Sequence, residues 1–152
     1  MTMKLLGTYT LAAMTVALAP LTVRAADARC PLLNATLHGT YVVSGSGTIA
    51  GVGQVTALGQ HTWDGQGNTI ATNTISANGN ILNVTVTGTY TVNPDCTASL
   101  AESDGSHYQF LIAPDGSKAW WIQIDSGTVV SGTEVRLRRR HIESVLRVPS
   151  KK

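Results

Sequence analysis

The chain has 152 residues, 43% of them hydrophobic and only 13% charged, about half the charged share of an ordinary soluble domain; this excludes a disordered chain and suits one domain with its own core. The formal net charge of +2 conceals a polarised distribution: residues 26–135 carry two basic against eight acidic side chains, and residues 136–152 carry seven basic against one acidic. Fifteen glycines and twenty threonines against five prolines favour strands and tight turns.

Lys4 followed by the apolar run from Leu11 to Ala19, with small residues at Ala25, Ala26 and Ala28, reads as a secretory signal peptide over residues 1–25. Thr8, Thr10, Thr15 and Thr22 interrupt the segment, whereas a spanning helix needs ~20 mainly apolar residues. Export to the periplasm or the extracellular space is therefore expected. Residues 26–36 then form a tether carrying Cys30, whose one possible partner is Cys96. In an oxidising compartment a structural disulfide is expected; no CxxC motif and no histidine at ligand spacing point to a metal or redox site.

From residue 37 the pattern is that of strands. Ile81 to Val92 alternates strictly, with Leu82, Val84, Val86, Gly88, Tyr90 and Val92 on one face and Asn83 with four threonines on the other, the period of a strand with one buried face. Asp64-Gly65, Asn78-Gly79, Asp104-Gly105, Asp115-Gly116 and Ser126-Gly127 supply turns. Strands are predicted near 37–44, 47–57, 59–64, 69–76, 81–92, 97–103, 106–113, 118–125 and 128–138. The fold class is all-β: an antiparallel meander of about eight strands over residues 37–138, closing into a barrel that removes its edges, with no major helix after the signal peptide. Residues 139–152 form a basic tail.

A two-residue turn at Asp104-Gly105 would set Glu102 opposite His107. A type I turn with a glycine bulge at Ala113-Pro114-Asp115-Gly116 would set Phe110 opposite Trp120. One face then collects Ser99, Ala101, Tyr108, Phe110, Ile112, Trp120, Ile122 and Ile124 inside, and the other leaves Glu102, His107, Gln109, Trp121, Gln123 and Asp125 outside. The same parity sends Leu37, Tyr41, Val43, His61 and Trp63 inward and His38 outward.

His61 is thus the one ionisable side chain besides tyrosine predicted to point into the barrel. It is the candidate catalytic residue, as acid or base, against the alternative of a hydrogen-bonded core histidine. Tyr41, His61, Trp63, Tyr90, Tyr108, Phe110 and Trp120 are the candidate ligand-binding residues. Glu102 with His107 reads as a surface cross-strand pair. Gly45-Ser46-Gly47 and Gly51-Val52-Gly53 lack the helix and Gly-Lys-Ser/Thr of a phosphate loop, and the Asp64-Gly65-Gln66-Gly67-Asn68 run lacks the closing glutamate of a calcium loop. No metal or cofactor is expected. Arg138-Arg139-Arg140-His141 and the rest of the tail could meet an anionic surface through charge, without any specific nucleic-acid motif.

Gly88-Thr89-Tyr90-Thr91-Val92-Asn93-Pro94-Asp95-Cys96-Thr97, together with Cys30, Leu37-His38-Gly39-Thr40-Tyr41 and the Trp63 to Asn68 turn, resembles a group of small exported bacterial proteins of unknown function. That group more distantly resembles the barrels of allene oxide cyclases and calycins. The resemblance implies a lumen that holds an apolar small molecule; it carries over no catalytic residue. Three functions follow as expectations: an exported barrel binding an apolar or aromatic small molecule, an allene-oxide-cyclase-like cyclase or isomerase using His61 and a tyrosine, or an interaction module using an exposed Trp121 and the tail.

Overall fold

The computed structural model describes residues 29–137; the expected leader and basic tail lie outside the described residues. A short 3-10 turn, Leu33–Thr36, precedes eight strands: β1 (His38–Ile49), β2 (Gly53–Asp64), β3 (Asn68–Ala77), β4 (Asn80–Val92), β5 (Thr97–Glu102), β6 (His107–Ile112), β7 (Lys118–Gln123) and β8 (Thr128–Arg136). Each strand pairs antiparallel with the next, and β8 returns to β1 from Tyr41↔Arg136 to Ile49↔Thr128, closing the barrel. Closure pairs every edge, as the meander reading requires.

The sequence reading split β1 and β2 into three strands with a break near Gly45. They are instead two twelve-residue strands joined through Ala50-Gly51-Val52. The glycines do not break β1, because their missing side chains are what the packing needs. Gly45 pairs with Gly132, Gly132 pairs with Trp121, and a Cβ on Gly45 would fall inside the Trp121 indole. Two facing glycines thus form the slot that admits the largest side chain of β7.

The start of β1 marks the closed end of the barrel. Cys30 is bonded to Cys96 across a separation of 66 residues, and its N–H donates to the Pro94 carbonyl at 3.0 Å. The tether continues over that end: Asn34 Oδ1 accepts the Val92 N–H at 2.8 Å, and the Tyr90 hydroxyl lies 3.0 Å from the Leu37 carbonyl. Beneath it Trp63 packs edge-on to Tyr90 at 4.7 Å and to Phe110 at 5.6 Å, geometries that suit the aromatic quadrupole. The disulfide is consistent with an oxidising environment.

Two hairpins differ from expectation, each by one residue. The β5–β6 connection is a three-residue loop, with Glu102 N–H donating to the Ser106 carbonyl and Gly105 in the left-handed region; this pairs Ala101 with His107 and Leu100 with Tyr108. The β6–β7 connection is a four-residue loop closed by Ala113 N–H to the Lys118 carbonyl, which pairs Phe110 with Trp121. A one-residue change flips a strand's faces. Trp120 is therefore outside at 45% exposure and Trp121 inside at 9%, reversing the sequence reading. Ser99, Ala101, Ile122 and Ile124, expected inside, are exposed, while Glu102 and Gln123 turn inward. Tyr108, Phe110 and Ile112 point inward as expected.

Candidate functional site

Midway along the lumen, β2 and β8 bring three polar side chains together. His61 and Trp63 are two residues apart on β2 and so share its inner face. Glu134 reaches them from β8. Its Oε1 lies 2.7 Å from His61 Nδ1 and its Oε2 accepts the Trp63 indole N–H at 3.0 Å. The imidazole also packs against the Trp63 ring, centroids 4.2 Å apart. His61 is 3% exposed and Glu134 1%, so both are held inside protein, where the low local dielectric strengthens the hydrogen bonds they make. With Nδ1–H donating to Glu134, His61 Nε2 is left as an acceptor; doubly protonated, it carries an N–H there.

Between this belt and the end opposite the tether lies a cavity of ≈ 120 Å³. Leu100, Phe110, Trp121 and several valines supply its apolar wall, and His61, Asn73, Glu102, Asp104, Tyr108 and Glu134 its polar one. Three buried polar atoms of wall residues, His61 Nε2, Asn73 Oδ1 and Trp121 Nε1, have no hydrogen-bond partner among the described residues. Native interiors rarely leave such atoms unpaired.

Glu102, placed by sequence reasoning on the wet face against His107, enters this cavity instead. Burial pushes its carboxyl up to about 7, with Asp104 and Glu134 adding repulsion and His61 opposing it. The Tyr108 hydroxyl beside it is pushed up too, first by burial and then by Glu102. His107 stays outside and pairs with Asp125 at 2.8 Å. Asp64 keeps to its hairpin, its Oδ1 accepting the backbone N–H groups of Gln66, Gly67 and Asn68.

Glu102 holds its proton more tightly folded than unfolded, so its contribution to stability is complete below its unfolded pKa of about 4.3 and is lost as pH rises through about 7. Thermal midpoints followed from about pH 5 to about pH 8 should therefore fall more for the native chain than for Glu102→Gln. Parallel profiles would show that water, not burial, surrounds this carboxyl.

Of the sequence-predicted binding residues, the structure brings His61, Tyr108 and Phe110 to the cavity. Tyr41, Trp63 and Tyr90 are buried toward the closed end, with the Tyr41 hydroxyl donating to the Gly116 carbonyl at 2.6 Å. Trp120 lies outside the barrel and Trp121 takes the inner place; an interaction surface built on Trp121 is therefore excluded. Glu134, Glu102 and Asn73 were not anticipated. The signal for Glu134 was weak: it shares parity with Val130 and Gly132, yet lies between Thr133 and the more apolar Val135. The Cys30–Cys96 pairing is as expected.

No family model matches the chain, and comparison with curated proteins finds no match. Among solved structures, it is similar to a de novo designed fluorescence-activating β-barrel, at a TM-score of 0.45 and 14% identity, over 67% of this chain and 94% of that one.

Proposed function

We propose that the protein is an exported barrel that holds a small, largely apolar molecule in its lumen. The observation that carries this reading is the cavity of ≈ 120 Å³ whose wall includes three unpartnered buried polar atoms. An apolar cavity of about 150 Å³ accommodates a benzene ring, so the lumen suits an occupant of about one ring rather than a drug-sized ligand. Export is supported by the leader pattern of residues 1–25 and by the disulfide.

A second reading, a cyclase or isomerase, is favoured by one feature: Glu134 engages His61 Nδ1 and leaves Nε2 without a partner among the described residues, on a side chain that lines the cavity. That nitrogen could take a proton from a bound molecule.

One experiment addresses both. Protein purified from its own host is examined by native mass spectrometry, and tryptophan emission is titrated with a panel of single-ring compounds, each recovered afterwards and analysed. A co-purified ligand or a saturable emission change supports the lumen as a binding site, and recovery of an isomer supports the enzymatic reading. No ligand together with no emission change across the panel would overturn the binding reading.

A further inference from the structure

We propose that the lumen selects a small organic ammonium ion, with Glu102 as counter-ion and the Trp121 and Tyr108 rings as the bed for its apolar part. The inference rests on the binding reading above and narrows it to a charge class.

Charge balance is the first argument. Three carboxylates, Glu102, Asp104 and Glu134, border the cavity, and among the described residues no Lys or Arg does so. Glu134 is already engaged by Trp63 and His61, and Asp104 Oδ1 accepts the Ser106 N–H at 2.9 Å. Glu102 has no ion-pair partner among the described residues. An anionic ligand would add repulsion to a carboxyl already disfavoured by burial. A neutral one would leave that cost in place, whereas an ammonium offsets it with a charge-assisted hydrogen bond.

The unpartnered atoms are an independent argument. His61, nine-tenths and more buried, and Asn73 both line the cavity; with Nδ1–H donating to Glu134, His61 Nε2 is an acceptor, as is Asn73 Oδ1, neither has a hydrogen-bond partner among the described residues, and an ammonium group brings donors only. Trp121 and Tyr108 both line the cavity and stand edge to face at 5.6 Å, offering aromatic surface against which the apolar part of the ligand can pack. Trp121 Nε1 remains to donate to a hydroxyl or carbonyl elsewhere on the ligand.

Binding should then depend on pH through Glu102. The groups facing it are His61 from β2, Asp104 from the adjoining turn, Tyr108 from β6 and Glu134 from β8. Ammonium affinity is highest where Glu102 is ionised and falls as pH drops through about 7.

The test compares benzylamine with benzyl alcohol, nearly equal in shape and different in charge, by calorimetric titration of the intact protein. At about pH 8 the amine should bind roughly tenfold or more tightly than the alcohol. At about pH 5 that preference should shrink severalfold. Glu102→Gln, checked for a cooperative melt, should bring the ratio near unity at both pH values. Equal affinity of the two compounds overturns the charge preference and leaves lumen binding standing. Binding of neither overturns both. Should the variant fail to fold, the native comparison still decides.

Discussion

Glu134→Ala is expected to destabilise the barrel by about 3–5 kcal/mol, the loss typical when one partner of a buried pair is removed. Glu134 is the common acceptor for Trp63 Nε1 and His61 Nδ1, both inside the lumen. Without it an indole N–H, which can only donate, faces the interior unpaired, at a cost of about 1–3 kcal/mol for that group alone. The Trp63 ring also anchors the edge-to-face contacts with Tyr90 and Phe110, so its displacement would spread through the closed end. Urea unfolding followed by circular dichroism would measure the change. Glu134→Gln, which keeps an acceptor and the shape, should recover a large part of it. A loss under about 1 kcal/mol in Glu134→Ala would place the alanine variant among ordinary substitutions and remove Glu134 as organiser of the belt.

Joint replacement of Cys30 and Cys96 by serine should cost about 2–5 kcal/mol. The chain-entropy account gives roughly 4 kcal/mol for a loop of this length, the cysteines being 66 residues apart. The bridge also holds the tether against β4, where it covers Leu37, Tyr90 and Val92, all buried. Cys96 itself has φ of 70°, a left-handed conformation uncommon for a residue with a side chain. Unfolding midpoints in reductant should match those of the double serine variant. If midpoints with and without reductant coincide, the tether is held by its hydrogen bonds and packing alone.

The two expectations stand on unequally legible ground. The bridge followed from arithmetic: an expected leader, hence an expected oxidising compartment, and two cysteines. The Glu134 belt had no such signal, because β8 reads Val129, Val130, Ser131, Gly132, Thr133, Glu134, Val135, with valines of both parities. Val129 is 75% exposed and Glu134 is inside; a local pattern would choose the reverse. The same held on β7, where Trp120 and Ile122 outweigh Ala119, Trp121 and Gln123 in apolar character, yet the lighter face points in. What decides is the neighbour: the Gly45 and Gly132 pair opens a slot at the height of Trp121.

Sequence alone determined the all-β meander, the cysteine pair, the inward parity of β4, where alternation is strict, and the inward places of His61 and Trp63 on β2, with glycine turns to punctuate the strands. It also identified His61 as an inward titratable group. Only the tertiary structure decided that Glu102, Glu134 and Trp121 join His61 in the lumen. The physical reason is that a strand's period of two leaves one binary choice, which face is inner, and a loop one residue longer reverses it. In a closed barrel every such choice must agree with both neighbours at once. The chemistry of the lumen is written in that shared register, between strands and not within any one of them.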